Sequence, residues 1–119
     1  MRIAILSDVH ANLEALSAVL EHARRQRAER FVCLGDVVGY GADPVACLEL
    51  VLETCSVTVA GNHDLAAAGQ LSVRRFQSLA RTSVEFTRHQ LSRVQRRRLG
   101  RLPPEAEIEG LLLVHASPV

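Results

Sequence analysis

The sequence is short of several things. It has no lysine and no tryptophan, and its aromatic residues are one tyrosine and three phenylalanines. Its three cysteines, Cys33, Cys47 and Cys55, are odd in number, lack a CxxC spacing and fall inside apolar stretches. That excludes a disulfide framework or a thiolate metal knuckle and marks them as buried thiols of a reducing compartment. No apolar run is longer than about five residues, far below the twenty or so that a membrane-spanning helix needs. Met1 leads straight into the first such run, with no charged segment or cleavage site before it. The expectation is a single globular domain over residues 1–119, cytoplasmic and without membrane attachment. Repeats, low-complexity tracts and linkers are also missing.

Charge is nearly balanced, with a formal net charge of +1 and 23% charged residues, but it is unevenly placed. Nine arginines lie between Leu71 and Arg101 against the single acid Glu85, so this segment carries +8 and the rest of the chain −7. A basic stretch of this kind can attract nucleic acid. No aromatic residues alternate with the arginines to stack on bases, so a solvated helix face is the simpler reading, with nucleic acid expected only as a substrate.

Short apolar runs and amphipathic stretches alternate. The runs at 2–6 (RIAIL), 30–34 (RFVCL), 56–60 (SVTVA) and 111–114 (LLLV) are apolar at consecutive positions, as in strands of a parallel sheet buried on both faces. Between them, Leu13, Leu16, Val19, Leu20 and Ala23 recur at helical spacing, predicting a helix over about residues 12–28. Asp43 as N-cap and Pro44 at the first helical position open a second helix with Val45, Leu48, Val51 and Leu52 on its buried face. A third helical region starts near Val73 and carries Phe76, Leu79, Ala80 and Phe86, and Ser92 with Gln95 forms a capping box that restarts it. Pro103 and Pro104 then stop the helix, and Ile108 with Glu109 and Gly110 predicts an edge strand turning into 111–114. The order β-α-β-α-β-α-β predicts an α/β fold built mainly on a parallel sheet with right-handed β-α-β crossovers.

Every apolar run is followed at once by polar residues: Asp8 and His10 after the first, Asp36 after the second, Asn62, His63 and Asp64 after the third, His115 after the fourth. In a parallel sheet all such strand ends share the carboxyl edge, where open α/β sheets form their ligand crevice. Acids, imidazoles and a carboxamide then meet with no lysine or arginine among them, and like charges in one place need a cation between them. Oxygen and nitrogen donors of this mixture suit Mn²⁺, Fe²⁺, Zn²⁺, Co²⁺ or Ni²⁺. Asp8 and His10, two apart in an extended segment, face one side and can share an ion; the two oxygens of Asp36 can bridge a pair; Asn62 and His115 are left for the second ion.

Each residue also has a plainer explanation. Asp8 and Asn62 can cap the helices that follow. Asp64 fits a loop-orienting or capping role, His22 and His89 lie in amphipathic helices, and Tyr40 can pack or touch substrate. Gly35, Gly39, Gly41 and Gly61 are turn residues or points of close backbone approach.

The stretches SDVHAN, GDVVGYG, GNHD and VHASP, in this order and spacing, resemble the calcineurin-like metallophosphoesterases, and GDVVGYG resembles the small bacterial and archaeal phosphodiesterase branch. The protein-phosphatase branch has an Asp and an Arg where Gly39 and Tyr40 stand. The resemblance implies an α/β sandwich of two sheets, of which this chain supplies the first half. It implies a dinuclear hydrolase acting on phosphodiesters or phosphomonoesters through hydroxide presented for in-line attack, with manganese the foremost metal. Carried over by motif, Asp8 and His10 hold one ion, Asp36 bridges, Asn62 and His115 hold the other, and His63 is the catalytic residue that contacts the phosphoryl group or protonates the leaving oxygen. Family members carry a later Gly-His-x-His motif that completes both sites, and this sequence ends at Val119 without one. Three protein ligands per ion remain, and one sheet face is expected bare, a surface for self-association. A metal-binding pseudoenzyme or half-site needing a partner is therefore the alternative to an active hydrolase.

Overall fold

The structure, a computed structural model, describes residues 1–117; Pro118, the last residue of the VHASP stretch, and Val119 lie outside it. The elements run β1 (Ile3–Leu6), α1 (Leu13–Arg25), β2 (Arg30–Cys33), α2 (Pro44–Thr54), β3 (Val57–Thr58), α3 (Asn62–Ala67), α4 (Ser78–Gln90), α5 (Arg93–Gly100), β4 (Glu105–Ile108) and β5 (Leu111–Val114). Strands β1, β2 and β3 form a parallel sheet in that order, with Leu6 beside Cys33 and Cys33 beside Thr58. The three strand ends therefore finish level with one another, and the loops that follow them meet.

The fourth run departs from expectation. Residues 111–114 do not join the parallel sheet; β5 pairs antiparallel with β4 as a separate two-stranded sheet, Ile108 opposite Leu111. The turn chemistry explains it. Glu109 and Gly110 both take positive φ, 47° and 77°, which reverses the chain tightly and returns β5 along β4.

Alternation along β2 sends its side chains to two cores. Phe31 and Cys33 face a helical layer in which Leu16 and Leu20 of α1, Cys47, Leu48 and Val51 of α2 and Leu99 of α5 are buried. Val32 and Leu34 face the other way and meet Val59, Ile108 and Leu113. The hairpin thus covers part of the sheet face expected to be bare. It does not reach all of it, since Ile5 remains 51% exposed and Leu111 and Leu112 are exposed as well. All three cysteines are free and buried, as their apolar contexts predict.

Local signals held unevenly. Asn12, not Asp8, caps α1, its side chain accepting from the Ala15 N–H at 3.0 Å. Asp43 occupies the N-cap position of α2 without making a side-chain cap bond, so Pro44 alone marks that start. Ser92 and Gln95 form the reciprocal capping box of α5 at 3.1 and 2.8 Å. Helix α4 buries small and hydroxyl residues, Ala80, Ser83, Val84 and Thr87, while Leu79 is 72% exposed and Phe86 also faces out. The buried hydroxyls donate to carbonyls one turn back, Ser83 to Ala80 and Thr87 to Ser83, so they need no outside partner. Helix α3 begins directly at Asn62, well before Val73, and Arg88 of α4 donates through Nε and Nη2 to the Ala66 carbonyl at its C-terminal end.

Candidate functional site

The loops leaving β1 and β2 are laced together. Asp8 N–H donates to Gly35 O at 2.9 Å, His10 N–H to Asp36 O at 2.8 Å and Ala11 N–H to Val37 O at 2.8 Å. Within these loops Asp8, His10, Ala11, Asp36 and Tyr40 all adopt the left-handed region, with φ between 48° and 63°. Each such residue costs about 1–3 kcal/mol and persists only where its surroundings over-determine it. Asp8 and His10 consequently meet through a tight loop and not through the extended segment the sequence predicts.

The third loop locks onto the second. Asp64, fully buried, accepts from the N–H groups of Asp36 (2.8 Å) and Gly61 (3.0 Å) on one oxygen and of Val37 (2.9 Å) and Val38 (3.2 Å) on the other. Burial pushes its carboxyl up to about 6, against the pull of those N–H donors, so it is ionised at neutral pH. Gly61 is where the backbones touch: a Cβ there would strike the Asp36 side chain and backbone nitrogen.

Around Asp36, itself only 4% exposed, the predicted residues converge. His10 Nε2 lies 3.5 Å from Asp8 Oδ1 and 3.6 Å from Asp36 Oδ2; His115 Nε2 lies 3.2 Å from the same Asp36 Oδ2. The other ring nitrogens are anchored on carbonyls, which can only accept: His10 Nδ1–H donates to Val38 O at 3.1 Å and His115 Nδ1–H to Leu34 O at 2.8 Å. That pattern anchors each ring by Nδ1 and aims its Nε2 at the acids, the orientation in which an imidazole ligates a metal. Donor atoms of Asp8, His10 and Asp36 all lie within 4.8 Å of one another. The Asn62 amide sits 3.2 and 3.3 Å from the two Asp36 oxygens. With its nitrogen turned to them it donates to a bare carboxylate; with its oxygen turned to them, only a cation would reconcile the acceptors. The donor set and its aim fit a divalent cation.

Both imidazoles address the same Asp36 oxygen, Oδ2, while Oδ1 accepts the His63 N–H at 3.0 Å. His115 reaches this rim from the far end of an antiparallel strand, because β5 packs across the sheet and ends beside Leu34.

His63 lies over the cluster, its ring among those of His10 (5.0 Å between centroids), Tyr40 (4.8 Å) and Phe76 (5.3 Å). Its Nδ1 is buried with no hydrogen-bond partner among the described residues, against Gly39. Burial, the largest influence, holds the imidazole below its ordinary pKa, with Asp36 pulling in the opposite sense. Three neighbours carry no site role in the sequence pattern: Phe76, expected in helix core, walls the site, and Arg74 and Arg75 line a pocket with Asn62. The excess of arginine over acid in 71–101 was the available signal.

The calcineurin-like phosphoesterase family model matches residues 1–117. The chain is 37% identical to the uncharacterized protein MJ0912 of Methanocaldococcus jannaschii over 120 residues, covering 98% of this chain and 49% of that protein. It therefore spans about half the length of the curated relative it matches. Among solved structures, a metallophosphoesterase from Sphaerobacter thermophilus superposes with a TM-score of 0.76 at 44% identity, covering 91% of this chain and 44% of that one. The hypothetical protein PH1004 of Pyrococcus horikoshii OT3 superposes with a TM-score of 0.72 at 20% identity, over 87% and 48% of the two chains, a likeness of fold.

Proposed function

This chain belongs to the calcineurin-like phosphoesterases, and on that premise we propose that it carries the metal-binding and proton-transfer groups of a phosphoesterase acting on phosphodiesters or phosphomonoesters. The observation that carries the reading is the meeting of His10 Nε2 and His115 Nε2 on one Asp36 oxygen, each ring held by a carbonyl behind it. Asp8, His10 and Asp36 would hold one divalent cation, and Asp36, Asn62 and His115 a second, with manganese the first choice. When bound, two such cations lower the pKa of water, orient the phosphoryl group and neutralise its charge.

The remaining work belongs to side chains. Asp36 carries one negative charge shared between the two halves of the site. The carbonyls of Val38 and Leu34 fix the orientation of the imidazoles that contact them. His63, roofed by Tyr40 and Phe76, would hydrogen-bond a phosphoryl oxygen or, in its imidazolium form, protonate the leaving oxygen, a contribution worth about 10²–10⁴ in rate. Loss of Asp36 should remove both metals at once.

Hydrolysis of bis-p-nitrophenyl phosphate in Mn²⁺ tests this directly. Turnover that EDTA stops and Asp36→Asn abolishes is the expected result; turnover that survives Asp36→Asn overturns the reading. Because the chain spans half of its relative, the second reading is a half-site. Tight Mn²⁺ binding, lost in Asp36→Asn but unaccompanied by turnover, would decide for it.

A further inference from the structure

The arginines of 71–101 are mostly left without a structural task. Among the described residues the engaged guanidiniums of this segment are those of Arg88, on the Ala66 carbonyl, and Arg98, which meets Glu49 at 3.2 and 3.4 Å. Four others, Arg93, Arg96, Arg97 and Arg101, follow the i, i+3, i+4, i+8 spacing of one helix face. With Ala68 and Gln70 they line a pocket of about 380 Å³ that has no carboxylate in its wall. The Nε of Arg96 is buried there without a partner. Arginine in the last turn of α5 is accounted for by the negative end of the helix, but Arg93 stands at its first residue, where the helix dipole opposes a cation. Four guanidiniums around one hollow repel one another unless an anion joins them.

A second hollow, about 480 Å³, is lined by Arg74, Arg75, Leu71 and Phe76 together with Asn62 of the candidate metal site. Gln70 of the first hollow and Leu71 of the second are consecutive residues, so the two meet on one segment of chain. Helix α3 separates their far ends: Asn62 is at its start and Ala68 just past its end, about 9 Å along a helix of six residues. An anion path with this reach exceeds one phosphate group. Phe76, half-buried beside His63, and Tyr40, 51% exposed, offer aromatic faces where the path enters the metal site.

We propose that Arg74, Arg75, Arg93, Arg96, Arg97 and Arg101 form a track for the sugar-phosphate backbone of single-stranded nucleic acid, leading one of its diesters to the Asp36 site. Evenly spaced phosphates suit successive guanidiniums, and bases can stack on the exposed rings at the end of the path. The catalytic end of this proposal rests on the phosphoesterase reading; the binding end does not.

Binding is measured by fluorescence anisotropy with fluorescein-labelled dodecathymidylate, using the full chain in EDTA so that neither metal nor turnover enters. Affinity should fall steeply between about 50 and 200 mM salt, with a slope of about −0.7 per phosphate contacted. Arg97→Ala/Arg101→Ala should weaken binding roughly tenfold and flatten the slope by about 1.4, two contacts' worth. Arg24→Ala/Arg25→Ala, which removes equal charge from α1, should leave both within about a factor of two, and far-UV circular dichroism melts confirm that each variant is folded. Wild-type protein that does not bind the probe, equal weakening by both double variants, or tighter binding to the annealed duplex would each overturn the track. Wild-type hydrolysis of bis-p-nitrophenyl phosphate, assayed alongside, separates the two ideas: hydrolysis without oligonucleotide binding removes the track alone, and oligonucleotide binding without hydrolysis removes the phosphoesterase reading alone.

Discussion

Asp64 holds the backbone of Asp36: its Oδ2 accepts the Asp36 N–H at 2.8 Å, and its two oxygens take three further N–H groups from Gly61, Val37 and Val38. By gripping backbone, Asp64 sets where the central carboxylate stands. Asp64→Ala leaves four buried donors unpaired, and each orphaned donor costs about 1–3 kcal/mol. A loss of at least about 3 kcal/mol in urea unfolding is expected for Ala, and a substantial part of it for Asn, whose NH₂ would face N–H groups. Wild-type stability in Asp64→Ala would show that the clamp does not matter.

His63 and Asp36 make different demands. His63→Ala removes a ring that lies over the cluster without being part of it, so turnover should fall about 10²–10⁴-fold. Manganese affinity, measured by isothermal titration, should hardly change. Equal loss of affinity and rate would place His63 among the ligands instead.

Helix α3, which presents Asn62 and His63, ends on the Arg88 guanidinium. Arg88→Met keeps the aliphatic stem but removes both guanidinium bonds to the Ala66 carbonyl, leaving it the Gly69 N–H at 3.0 Å, and a charge-assisted hydrogen bond of this kind is worth about 1.5–3 kcal/mol. For a domain of this size 1 kcal/mol moves the melting temperature by about 4 °C. Calorimetry should therefore find Arg88→Met melting several degrees lower, with Arg88→Lys between the two proteins.

Burial pushes the thiols of Cys33, Cys47 and Cys55 up to about 12, 11 and 11. Since only the thiolate reacts, almost none is present at pH 8, and all three are enclosed as well. Iodoacetamide should leave the native protein unmodified by intact mass and add three carbamidomethyl groups in denaturant. Labelling of the native chain would contradict the packing of β2 and α2.

Much of this molecule is legible along the chain. Consecutive apolar residues in 2–6, 30–34 and 56–60 mark strands buried on both faces, and polar residues at their ends point to a shared edge, because strand direction and crossover hand leave few alternatives. Asp8, His10, Asp36, Asn62 and His63 can be named for that reason, whereas His115 follows a run that pairs antiparallel in the second sheet. Periodicity is a poor guide where burial is not apolar: the inner face of α4 adds Ser83 and Thr87 to Ala80 and Val84, their hydroxyls satisfied within their own helix, while Leu79 faces solvent.

Residue order alone determined which atoms would gather, since short-range patterning dictates strands and strands dictate where their ends lie. Tertiary structure decided how they are aimed. The carbonyls of Val38 and Leu34 that orient two imidazoles, the single Asp36 oxygen they share, the reversal that returns β5 and brings His115 to the rim, and the N–H groups gathered by Asp64 all depend on backbone positions in separate loops. Backbone polar groups are the same in every residue, so no reading of side chains along the chain can say which of them will meet.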